Sequence, residues 1–259
     1  FPTWLVEDRT GQRTGIEAGV VGAWTRPLFL GGYEHSTLGN EHVFNLQTPS
    51  IFIDIRIPVL KRRYFESRKV SVLNGSSDGL ATLDEKELSF FARQHAFCGY
   101  SRMEKDENGA FICTRHHAID WNFVGKPRSR PNKWRIELNP NSADQWKEWS
   151  HATDDHGQSY YMERWERLPM GGDDTYFALE KVLDDDDCVS SYIVAVGDHF
   201  NYIRQREPSF VLKDKEEEAR APVNLTKAID EALANGDEST VQKLMSLEVE
   251  RFFSFFIFL

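Results

Sequence analysis

The 259-residue chain lacks most of the patterns by which a sequence declares its chemistry. It has no glycine-rich phosphate loop, no G-x-S-x-G elbow and no compact His or Cys spacing for a metal. Cys98, Cys113 and Cys188 are odd in number and far apart, which excludes a disulfide framework and fits a reducing compartment. No apolar run reaches the roughly 20 residues of a membrane-spanning helix. No signal-peptide pattern remains, and the chain starts at Phe1 as a processed chain or a fragment would. Basic charge is the scarcer sign: 31 Lys and Arg against 41 Asp and Glu give a net −10. That balance argues against nucleic acid or an anionic membrane surface as the main partner. The short basic runs at 61–63 and 126–130 are then loop charges, and the four acids at 184–187 a solvated turn rather than a calcium loop. The expectation is a soluble, intracellular protein with no cofactor and no metal.

Aromatics, by contrast, are plentiful, with 18 Phe, 8 Tyr and 7 Trp. Large rings fill the interior of a barrel or line a pocket for an apolar ligand. Residues 51–58 (IFIDIRIP) alternate strictly, with Ile51, Ile53, Ile55 and Ile57 on one face and Phe52, Asp54 and Arg56 on the other. Asp54 and Arg56 are then either a structural pair or lumen-facing groups. Further strands are expected at 24–30, 42–47, 134–138, 158–168 and 175–182. A hairpin is expected from 95–103 and 111–121 around the turn ending Asn108-Gly109. Residues 139–149 read as polar and turn-rich, and 83–93 as a short helix with Asp84 at its N-cap and Glu87 three residues on. Residues 189–206 read as a strand pair or one long bent strand, with Gly197 a candidate bulge. Residues 224–250 show the clearest helical period: Leu225, Ile229, Ala232 and Leu233 form a stripe, Asn235-Gly236 stops it, and Asp237 can cap a second helix. The last apolar stretch, FFSFFIFL, is either a buried final strand or an altered end.

About ten short strand signals with few long helices predict a mainly β fold. That is a lipocalin-like (calycin-type) antiparallel barrel over 1–206, single or as two halves split near 125–150. A charged connection (207–223), an αα-hairpin packed on the barrel (224–250) and an apolar tail (251–259) follow. The order of short pieces points the same way: Ala96-Phe97-Cys98-Gly99, His117-Ala118-Ile119-Asp120-Trp121, Asp154-Asp155-His156-Gly157, the strand from Tyr161 to Trp165, and IVAVGDHF at 193–200. Together these span about 48–206 and resemble a lipocalin-like family, the fungal HRI1-type proteins and their bacterial relatives. The C-terminal hairpin resembles the bacterial side only. The resemblance implies barrel halves sharing one chain. It implies no catalytic residues.

Four positions are candidate acid–base groups: His116, Asp120, Glu163 and His199. Strict alternation places His116 and Asp120 on one face, where a carboxylate can orient an imidazole and raise its pKa. Tyr161, Glu163 and Trp165 share a face. If that face is inward, Glu163 is a carboxyl in an aromatic setting, a candidate acid or base. His199 shares a face with Asn201 and Ile203, opposite Phe200, Tyr202 and Arg204. Phe97, Trp121, Tyr161, Trp165, Phe200, Tyr202 and Arg204 are the candidate ligand-binding residues, with Arg204 able to offer a planar two-point donor to an oxyanion. Three functions are compatible with this pattern: binding of a small hydrophobic or amphipathic molecule in the lumen; a cofactor-free isomerase, cyclase, hydratase or lyase in the same lumen; and an interaction module, a homodimer or a complex formed through 224–259.

Overall fold

The structure is a computed structural model that describes residues 16, 18–31, 41–58, 95–124, 131–170, 175–182, 189–206, 223–245 and 248–253. Eight antiparallel strands close into a barrel: β1 (Gly22–Gly31), β2 (Glu41–Gln47), β3 (Ile51–Pro58), β4 (His95–Lys105), β5 (Phe111–Asp120), β7 (Asn132–Leu138), β8 (Gln145–Ser150) and β9 (Tyr161–Arg167). Each pairs with its neighbour in chain order, and β9 returns to β1, so the sheet has no free edge. The lipocalin-like barrel expected from strand rhythm is therefore present as one closed barrel, ending near residue 167. Among the described residues of 125–150, β7 and β8 are strands of that same barrel.

A second sheet, in the order β10-β11-β12-β14, is built from β10 (Tyr176–Val182), β11 (Val189–Val196), β12 (His199–Arg204) and β14 (Glu248–Phe253). A small ribbon joins β6 (Phe123–Val124) to β13 (Val223–Asn224). Two helices follow, α1 (Leu225–Ala234) and α2 (Glu238–Leu244). Asn224 caps α1 by accepting from the Thr226 and Lys227 amides, and Asp237 caps α2 by accepting from Thr240. Gly236 takes a positive φ of 67° between them, the conformation for which glycine ends a helix at little cost. Helical structure stops at Leu244, short of residue 250. The chain then pairs with β12 as β14, so Phe252 and Phe253 belong to a strand rather than a free tail. Gly197 (φ 57°) and Asp198 form a two-residue hairpin turn, not a bulge: register is unbroken from Val196↔His199 to Ser191↔Arg204. Residues 83–93, expected to be helical, lie outside the described residues.

Both faces of the barrel wall are buried on one side of the molecule. The outward face of β2 to β5 carries Leu46, Ile51, Ile53, Ile55, Ala96, Cys98 and Ile119. It packs against Tyr192, Val194, Val196 and Ile203 of the second sheet and Leu225, Ile229, Val241 and Leu244 of the helices. At about 25 cal/mol per Å² of apolar surface, this contact is where hydrophobic stabilisation concentrates. Asn201 donates from this layer to the carbonyls of Phe44 and Ile53, at 3.5 Å each. The 3-10 turn Ala18–Val20 closes one end of the barrel, where the Trp24 indole donates to the Val20 carbonyl at 3.0 Å.

Candidate functional site

The lumen is layered because alternate residues of each strand point inward. At the closed end Trp24, Trp146 and Trp165 gather with Val43, Met103, Cys113 and Ile136. Trp146 and Trp165 face each other across β8 and β9 and stack with centroids 5.3 Å apart. Two residues further along the same strands, Glu148 and Glu163 are the next directly opposed inward pair. Three arginines join them. Arg26 Nη1 donates to Glu163 Oε1 at 2.6 Å and Nη2 to Glu41 Oε2 at 3.2 Å. Arg56 Nε donates to Asp54 Oδ1 at 2.8 Å, and its Nη1 lies 3.8 Å from Glu163 Oε1. Arg115 Nη1 lies 3.8 Å from Asp54 Oδ2, which also accepts from Asn45 at 3.2 Å. All of these side chains are at least nine-tenths buried.

Each guanidinium lies over a ring: Arg26 over Phe29 at 5.1 Å, Arg56 over Phe97 at 5.3 Å, and Arg115 over Phe52 at 4.6 Å and Trp134 at 5.6 Å. Flat cations held on aromatic faces are less free to reorganise, so the network is preorganised. Burial alone would raise the Asp54 carboxyl, but the charge and hydrogen bond of Arg56, helped by Arg115, outweigh it and hold Asp54 below its ordinary value. Burial raises Glu41 more than Arg56 and Arg26 lower it. Glu148 has no cation within ion-pair distance among the described residues. Burial first, and the Glu163 charge second, push its carboxyl up to about 8. Burial and the facing Glu163 thus favour the neutral form of Glu148, while Arg26 holds Glu163 in an ion pair.

Toward the other end, His117 Nδ1 and Asp120 Oδ2 lie 2.7 Å apart, with the His117 ring stacked on Phe97 at 4.4 Å. Asp120 thus pairs with His117, not His116. The reason is a register shift: Cys98 pairs with Ile119 but Gly99 with His117, leaving Ala118 as an extra residue that reverses the alternation. Gly99, at φ +154°, permits it: a Cβ there would meet the His116 carbonyl oxygen at 2.0 Å and the Ala118 nitrogen at 2.8 Å.

The lumen brings together five of the residues singled out from sequence: Phe97, Asp120, Tyr161, Glu163 and Trp165. His116 pairs in register with Tyr100 on the outward side. Trp121 belongs to the outer core, under Arg206, which donates to its carbonyl at 2.6 Å. His199 is buried where the second sheet meets the barrel, its Nε2 2.8 Å from the Pro169 carbonyl. Phe200, Tyr202 and Arg204 point the other way from His199 along β12, away from the barrel. The sequence reading missed Arg26, Glu41, Arg115, His117 and Glu148. Burial alternates along β8 and puts Glu148 on the face of Trp146, but Trp146-Lys147-Glu148-Trp149 does not alternate in polarity, so spacing gave no signal for Glu148.

Glu163 Oε2, Asn45 Oδ1, Arg115 Nε and the indole N–H groups of Trp146 and Trp165 are buried with no hydrogen-bond partner among the described residues. Each such group costs about 1–3 kcal/mol unless something in the lumen satisfies it. Among the described residues no three His, Cys, Asp or Glu side chains converge as a metal site, and no helix is long and apolar enough to cross a membrane. No protein family, curated protein or solved structure matches the chain.

Proposed function

We propose that the barrel binds a small amphipathic molecule in its lumen, between the aromatic rings and the arginine–carboxylate network. The observation that carries this reading is that Glu163 Oε2, Asn45 Oδ1, Arg115 Nε and the Trp146 and Trp165 indole N–H groups, none with a hydrogen-bond partner among the described residues, line the same interior as the arginine–carboxylate network. Each lowers stability while it stays unsatisfied, so a molecule in the lumen that pairs with them is bound favourably. Kinship with the lipocalin-like family belongs to the same proposal and is supported by the closed eight-stranded barrel. The test is titration with the neutral amphipathic dye N-phenyl-1-naphthylamine, read by its emission and by quenching of the lumen tryptophans. Saturable one-to-one binding is expected. Phe97→Ala, which removes a ring of the lumen wall, should weaken it about tenfold, and Phe200→Ala on the far sheet should not. Absence of saturable binding to the folded protein would contradict the reading.

The opposed Glu148–Glu163 pair favours a second reading, a cofactor-independent isomerase, cyclase or lyase. A protonated acid beside an ionised carboxylate is the pair that general acid–base chemistry uses. On that reading Glu148→Gln abolishes turnover and leaves binding in place, checked with a turnover screen of enolisable carbonyl compounds.

A further inference from the structure

Within that binding reading, we infer that the lumen selects an uncharged ligand with a hydrogen-bond acceptor and donor side by side on a flat ring, a lactam-type edge, held between Glu148, which donates, and Glu163, which accepts.

Charge balance gives the ligand's charge. Among the described residues, three guanidiniums, Arg26, Arg56 and Arg115, face three ion-paired carboxylates, Glu41, Asp54 and Glu163. His117 and Asp120 form a pair of their own. A charged ligand would unbalance this set of buried side chains, among which an unpaired charge costs far more than at a surface. Geometry gives the pattern of donors. Glu148 and Glu163 are directly opposed on adjacent antiparallel strands, a placement that sets Cβ atoms roughly 5 Å apart. Two carboxylates at that range in a buried site do not both ionise. The one without a cation keeps its proton and becomes a donor. The other is anchored through Oε1 to Arg26, and its buried Oε2 has no partner among the described residues, so it remains an acceptor. Shape follows from the neighbours: the stacked Trp146–Trp165 pair lies one layer below, and Phe52, Phe97 and Trp134 carry the guanidiniums around it. The groups facing Glu148 are Glu163 and Tyr161 on β9, Arg115 and Cys113 on β5, Asp54 and Arg56 on β3, and Ile136 in register on β7. The Cys113 thiol and Tyr161 hydroxyl are both raised by burial and stay neutral, so Glu148 is the group whose proton is lost in the mildly alkaline range.

The test is calorimetric titration of the full chain with 2-quinolone, N-methyl-2-quinolone and quinoline-2-carboxylate at pH 6.5 and 9.5. 2-Quinolone should bind at pH 6.5, and the N-methyl compound, which loses the donor, about tenfold more weakly or worse. Quinoline-2-carboxylate should bind no better than the N-methyl compound. Affinity for 2-quinolone should fall about tenfold at pH 9.5 in the wild type, as Glu148 loses its proton. It should be nearly unchanged in Glu148→Gln, whose amide still donates. Equal binding of the two quinolones, tighter binding of the carboxylate, or a pH-independent wild type would each overturn the inference, and none of the three needs a variant. If N-phenyl-1-naphthylamine binds and 2-quinolone does not, the ligand class is wrong and the binding function stands. If neither binds, both fall.

Discussion

On one face of β3 stand Ile51, Ile53 and Ile55, covered by the second sheet and the helical hairpin. On the other stand Phe52, Asp54 and Arg56, facing the lumen. Both faces are buried. The outer face is aliphatic and closely packed, the arrangement that maximises stability. The inner face carries buried charges that are held by ion pairs, Arg56 with Asp54 and Glu163 and Arg115 with Asp54, at a desolvation cost the outer face does not bear. Burial by itself therefore does not mark a core, and in this barrel the chemistry of the buried groups separates scaffold from site.

Four substitutions sharpen or break this contrast. Asp54→Ala leaves Arg56 and Arg115 without their shared carboxylate and should cost about 3–5 kcal/mol in denaturant unfolding. A much smaller loss would mean that water reaches the network. Ile53→Ala opens a cavity under Tyr192 and Val194 and should cost about 2–4 kcal/mol by the same measurement, with dye binding in the lumen kept. Loss of binding with Ile53→Ala would show that the two faces are not separable. Gly99→Ala forces a Cβ onto backbone atoms that cannot yield, and should cost about 1–3 kcal/mol while separating the NMR signals of His117 from those of Asp120. Glu148→Gln should change stability at pH 6 by less than about 1 kcal/mol, since it replaces one uncharged group by another.

The same variant tests the pH dependence. The folded Glu148 holds its proton up to about 8, well above its ordinary value of 4.5. Across that window the native state binds a proton that the unfolded chain has released, so this group makes stability fall as pH rises from about 4.5 to about 8. Asp54 has the opposite sign: its lowered carboxyl contributes stability at neutral pH that is lost as pH falls below 3.8. Thermal unfolding followed against pH should show both limbs in the wild type, and in Glu148→Gln the acid limb with the opposite limb reduced to what Glu41, also raised by burial, contributes.

Strand rhythm made the barrel legible in the sequence. Period-two alternation in β3, the Asn108-Gly109 turn and the Asn235-Gly236 stop each report on local backbone, which neighbours reinforce. The helical hairpin was legible for the same reason, although its second helix ends early because β14 finds an open edge on β12. The site was legible where alternation is unbroken: Tyr161, Glu163 and Trp165 share the inward face as their spacing requires. It was not legible where one extra residue reverses the alternation, so that Asp120 meets His117 rather than His116. Nor could spacing tell that β12 faces the outside of the barrel, which turned His199 into an interlayer residue and sent Phe200, Tyr202 and Arg204 away from the lumen. Arg26, Arg115 and Glu148 lie far apart in the chain, and only closure of the barrel brings them together.

A carbon-detected NMR titration of the Glu148 and Glu163 side-chain carboxyls tests the central claim most directly. If the lumen holds a protonated acid facing an ion-paired carboxylate in a dry aromatic shell, the Glu148 resonance should titrate near pH 8, and Glu148→Gln should remove that transition alone. A Glu148 carboxyl that titrates near 4.5 would show the pair to be open to water, and the account of the lumen as a preorganised site for a neutral ligand would be wrong.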